Sequence, residues 1–133
     1  GFFDAFFSSA LAAVESLKTI NIELELRRRL TVLASDEATQ DTPLRYFLRW
    51  AGQVQGVVFA TNTNLAQARA LTGWVRNMED GSVEMEIQGA PANILSHLEA
   101  LHASYERMGT RFRLVEAQAQ APLVNEDSFI PRY

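Results

Sequence analysis

Apolar residues recur in the first stretch of the chain at three- and four-residue steps, Phe3, Phe6, Phe7, Ala10, Val14 and Leu17. This is the period of one broad helical face, and it predicts a helix near residues 2–18. Four Phe residues within the first seven positions are too much apolar surface to leave in water, since each fully buried side chain gains roughly 1.5–3 kcal/mol. The face needs a cover, either the rest of the chain or a second copy in a homodimer. The absence of Lys or Arg before Lys18 weighs against a membrane surface. Ile20, Ile22, Leu24 and Leu26 then alternate with polar residues as a strand does, whereas Ile20, Leu24, Leu30 and Leu33 also suit a helix rich in Glu, Leu and Arg. Both periods fit, with the helix favoured. Arg27-Arg28-Arg29, flanked by Glu23 and Glu25, reads as a solvated helix face with i, i+4 pairs.

The polar, acidic stretch Ser35–Pro43 is the best linker candidate and divides an N-terminal helical extension, 1–43, from a domain over 44–133. In that domain Leu44–Ala51 predicts a strand. Asn62–Leu71 predicts a helix closed by Thr72-Gly73. Trp74–Asn77 and Val83–Ile87 predict a hairpin about Asp80-Gly81, with Val83, Met85 and Ile87 on one face and Glu84 and Glu86 on a solvated one. Pro91 opens a helix that Ile94, Leu95, Leu98, Leu101 and Tyr105 carry to Met108-Gly109. Phe112 to Gln120 predicts a further strand, and Ser128–Ile130 a short last one, held to an edge by Pro131. The order βαββαβ plus an edge strand gives an α+β, ferredoxin-like sandwich, an antiparallel sheet with two helices on one face.

Composition narrows the chemistry. The 133 residues, 47% hydrophobic and 21% charged, contain no run of eighteen apolar residues, so no spanning helix is expected. With no cysteine there are no disulfides, thiolate ligands or Cys nucleophiles. His97 and His102 lie five apart, where a zinc pair on one helix needs four. No metal or other cofactor is expected. A net charge of −4 and a pI near 5.1 disfavour nucleic-acid partners. The opening Gly1-Phe2-Phe3-Asp4 lacks a basic n-region, and a cytoplasmic setting is expected.

The residues that carry chemistry are Gly52-x-Val54-Gln55-Gly56-Val57-x-Phe59, then Leu71–Asn77, Asp80–Glu84, Gly89 and the closing Asp127–Tyr133. In this order and spacing they resemble the acylphosphatase family over residues 44–133. The resemblance implies hydrolysis of carboxyl-phosphate anhydrides without metal or covalent intermediate. The loop Gln55, Gly56, Val57, Val58, Phe59 and Ala60 would hold phosphate on its backbone N–H groups, and Asn77 would orient the attacking water. It also implies an Arg immediately after Phe59, where this chain has Ala60. A guanidinium gives planar, permanently charged contact with phosphate and a methyl gives none. By analogy with arginine fingers the loss amounts to about 10³ to 10⁵ in rate. The expectation is a degenerate acylphosphatase-like domain that binds phosphate or acyl phosphate weakly or acts as a scaffold. One alternative is a working acylphosphatase with a substitute cation from Arg27–Arg29, Arg45, Arg49, Arg69 or Arg76; another is a self-association module built on the Phe-rich helix.

Overall fold

The computed structural model describes residues 22–52, 57–108 and 112–133. The helix expected over 2–18, and self-association through it, lie outside the described residues. The described elements are helix α1 over 22–35, β1 (Leu44–Gly52), α2 (Val57–Ala68), β2 (Thr72–Asn77), β3 (Val83–Gly89), α3 (Pro91–Met108), β4 (Phe112–Gln120) and β5 (Phe129–Arg132).

Alternation builds the sheet. Tyr46, Leu48 and Trp50 of β1 and Val83, Met85 and Ile87 of β3 turn inward, while Arg45, Phe47, Arg49, Glu84 and Glu86 take the other face. The order is β4-β1-β3-β2-β5. The four strands of the sandwich pair antiparallel as expected, and the added edge strand β5 runs parallel to β2. Pro131 fits there because an edge strand leaves one row of backbone groups unpaired. The inner face packs on Ile94, Leu98 and Leu101 of α3 in a single buried cluster.

In 20–33 the helix is the observed outcome from residue 22 onward: Leu26 and Leu30, four apart, are buried in that same cluster, while Leu24 is 56% exposed. Strand alternation would have put Leu24 and Leu26 on one face, which only one of them can use. Glu23 Oε1 lies 3.8 Å from His102 Nδ1, which sets α1 beside α3. The stretch after it is a set of hydrogen-bonded turns, with the Asp36 carboxylate accepting from the Ala38 N–H at 2.9 Å and the Asp36 carbonyl accepting from Thr39 and Gln40.

The expected helix over Asn62–Leu71 is displaced toward the N-terminus, to Val57–Ala68. The left-handed residue that closes it is Ala70, with φ 55°, rather than Gly73. The Leu71 and Arg69 N–H groups both donate to the Ala66 carbonyl, closing the last turn, and Leu71 and Ala66 are buried together. Gly73 belongs to β2: a Cβ there would lie 1.9 Å from the Glu86 carbonyl oxygen, so the close strand approach needs glycine. The hairpin expectation holds, with Gly81 at φ 92°.

Candidate active site at one end of the sheet

Because β3 is antiparallel to both β1 and β2, those two strands run parallel and end at the same end of the sheet. The register Trp50–Val83–Asn77 places Asn77 in the same row as Trp50, one strand removed, or about 10 Å across. From Gly52 the chain passes through 53–56 into α2, whose first N–H groups and positive dipole end therefore emerge there. Asn77 follows the parity of Gly73 and Val75, so it belongs to the helix-covered side, and it is exposed because its row is the last. Of the residues expected to form the cradle, Val57, Val58, Phe59 and Ala60 fall in the first turn of α2 rather than in an open loop. Gln55 and Gly56 lie outside the described residues. Backbone donors at a helix start are suited to an oxyanion.

The arginines named as substitute cations are mostly engaged elsewhere. Arg45 is 3% exposed and sits at the opposite end of the sheet, where Glu126 accepts from its Nη1 and Nη2 at 2.7 and 3.1 Å and Gln88 Oε1 accepts at 3.1 Å. Burial opposes its charge, but the Glu126 and Glu86 carboxylates outweigh burial and raise its pKa. Arg49 donates from Nε and Nη2 to Glu84 Oε1 at 3.1 and 2.7 Å. Arg69 stands past the far end of α2, about 18 Å from its start at the usual helical rise, and donates to Ser96 Oγ at 3.0 Å. Arg27 and Arg28 pair along α1 with Glu23 and Glu25. Arg76 is next to Asn77 and exposed, but strand alternation sends it to the open face with Trp74. Glu84 and Glu86 are thus not merely solvated; they hold Arg49, and Arg45 and the Trp74 indole N–H, respectively.

Sequence reasoning missed the link between the two helices behind this end. Asn62 and His97 are both fully buried, with Asn62 Oδ1 2.8 Å from His97 Nε2. Burial first, and the Arg69 charge second, bring His97 down to about 4 from its ordinary 6.5. Among the described residues Asn62 Nδ2 and His97 Nδ1 have no hydrogen-bond partner. The signal was a His on the apolar stripe Ile94, His97, Leu98, Leu101, a position that buries whatever occupies it. Among the described residues no three His, Asp or Glu side chains are placed to hold a metal ion, and no helix is long and apolar enough to cross a membrane.

Fold and site together define a ferredoxin-like α+β sandwich with a helix start and an asparagine converging at one end of the sheet. The Acylphosphatase family matches residues 46–130. An acylphosphatase of Synechococcus sp. (strain CC9902) is 35% identical over 117 residues, covering 80% of this chain and 96% of the relative. The acylphosphatase from Bacillus subtilis superposes with a TM-score of 0.54 at 30% identity, over 68% of this chain and 99% of that one. One from Coxiella burnetii gives 0.52 at 25% identity, over 71% and 99%. The chain belongs to the acylphosphatase family.

Proposed function

We propose that this chain binds phosphate or an acyl phosphate where β1 passes into α2, and that it hydrolyses the carboxyl-phosphate bond slowly or not at all, serving as an anion-binding or scaffolding domain, with a cytoplasmic setting as part of the proposal. The observation that carries this is Ala60: a methyl occupies the place where the family resemblance implies an Arg. Phosphoryl transfer needs in-line placement of water and positive charge on the equatorial oxygens. Asn77 and the backbone N–H groups at the α2 start would supply placement and partial charges; of the arginines bordering the same cavity as Asn77, Arg49 is paired with Glu84 and Arg76 belongs by alternation to the open face. The engagement of Arg45 and Arg69 at the far end of the sheet and of α2 supports the reading, as does the pairing of Arg49 with Glu84.

Hydrolysis of a simple acyl phosphate by the parent, Ala60→Arg, Asn77→Ala and the Ala60→Arg/Asn77→Ala double variant tests it. The parent is expected to be near inert, Ala60→Arg to gain on the order of 10³ in turnover, and Asn77→Ala to remove that gain. A parent that already turns over substrate, and loses it in Asn77→Ala, would mean a substitute cation and would sink the proposal. The neighbour to replace next would then be Arg76.

A further inference from the structure

Charged residues on the open face form one continuous row across the sheet, perpendicular to the strands. The pairings Glu116–Arg49, Arg49–Glu84, Glu84–Arg76 and Arg76–Arg132 give the order Glu, Arg, Glu, Arg, Arg from β4 to β5. The first three are joined: Arg49 donates twice to Glu84 Oε1 and lies 3.6 Å from Glu116. The row then ends with two guanidinium-bearing residues side by side on parallel strands, a placement that is unfavourable for like charges. Arg76 makes no ion pair or hydrogen bond among the described residues. Arg132 is folded over Trp74, its guanidinium carbon 4.8 Å from the ring centroid. Glu126 also feels the Arg132 charge, but its carboxylate is held bidentately by Arg45. Three arginines against two glutamates leave the row one anion short.

We infer that Arg76 and Arg132 form a binding site for an oxyanion, a carboxylate or a phosphate, on the open face of the β2–β5 edge. By strand parity this face is opposite the one Asn77 belongs to, but Asn77 borders the same cavity as Arg76, so the site adjoins the one proposed for acyl phosphate and differs from it in its arginines. Guanidinium groups present paired N–H donors that match either anion. Stacking on Trp74 holds Arg132 ready at little further loss of freedom. A cavity of about 390 Å³ lies on the Arg76 side of the pair, away from Arg132, and is lined by Arg49, Arg76, Asn77, Met78, Glu84 and the hairpin residues Glu79 and Asp80. Asp80 Oδ1 accepts from the Ser82 N–H at 2.9 Å and its hydroxyl at 2.6 Å, which tethers that carboxylate to the hairpin, while Glu79 is the exposed acid beside Arg76 whose removal would favour an anion.

The test is a titration of the full chain with inorganic phosphate, and separately with acetate, at constant ionic strength, following the Trp74 indole N–H resonance. A saturable shift is expected with at least one anion, with the buried Trp50 indole N–H, which faces Met85 Sδ, unmoved. Arg76→Gln and Arg132→Gln are each expected to weaken binding about tenfold or more, the scale of one charged hydrogen bond, and Glu79→Gln to tighten it. A response to acetate alone assigns a carboxylate ligand, and one to phosphate alone a phosphate; both uphold the site. A Trp74 resonance that stays still, fails to saturate, or titrates in both arginine variants as it does in the parent overturns it. Shifts confined to the amides of Gln55–Ala60 would also overturn it while leaving the proposed acyl-phosphate site intact.

Discussion

Acid should unfold this protein through a single buried side chain, His97. Both Asn62 and His97 have no exposed surface, and the imidazole is held near 4 while an unfolded histidine titrates near 6.5. Above pH 6.5 both states are neutral and the difference contributes nothing. As the pH falls below 6.5 the unfolded chain takes up a proton that the folded one refuses, so stability drops until the folded group titrates near 4. A gap of about 2.5 pH units amounts to about 3 kcal/mol at the acid end, of which about 2 kcal/mol is lost by pH 5. That is a large part of a typical domain's 5–15 kcal/mol. The comparison protein is Asn62→Leu/His97→Leu, which removes both partners and leaves no orphaned polar atom, and is expected to be near parent stability at pH 7.5. Urea unfolding from pH 7.5 to 4.5 should show the parent losing about 2 kcal/mol more than the double variant between pH 7.5 and pH 5. Parallel pH profiles for the two proteins, or a His97 ring that titrates near 6.5 in the folded state, would refute the reasoning.

Three further outcomes are expected from equilibrium unfolding. Ala70→Gly should raise stability by about 0.5–1 kcal/mol, because an L-residue at φ 55° costs about that much net of the glycine's added freedom when unfolded; no gain would mean that the Ala70 turn is not strained. Gly73→Ala should cost at least about 3 kcal/mol or prevent folding, since its Cβ would meet the Glu86 carbonyl at 1.9 Å in a backbone region closed to alanine. Glu126→Ala should cost about 3 kcal/mol at neutral pH by leaving Arg45 buried without its main partner. Burial pushes the Glu126 carboxyl upward, but hydrogen bonds from Arg45 and Thr72 outweigh it and lower its pKa. Its stabilisation is therefore present above the ordinary carboxylate range and lost as pH falls through the lowered value, so parent and Glu126→Ala should converge in strong acid.

Alternation made β1, β3 and their inward residues legible, because a period of two with one covered face admits a single register. The stripe Ile94, Leu98, Leu101 did the same for α3. The α2 boundaries were not legible, since Thr72-Gly73 carries the chemistry of a helix stop and the structure uses the glycine for strand contact instead. At the candidate site the spacing of Gly56, Phe59 and Asn77 carried the family resemblance, and Ala60 marked the departure from the pattern. What the arginines do was not readable, because Arg45, Arg49, Arg69 and Arg76 look alike in a sequence and differ only in which carboxylate or hydroxyl the fold brings to them.

Residue identity and local period were enough for the family, the element order and the alanine that follows Phe59. Tertiary structure decided the parallel edge strand, the buried Asn62–His97 pair and the open-face row from Glu116 to Arg132. Each of these joins residues far apart in the chain, such as the 35 positions between Asn62 and His97. Pairings at that range are set by which faces can be covered together, a property of the whole packed sheet that no local pattern contains.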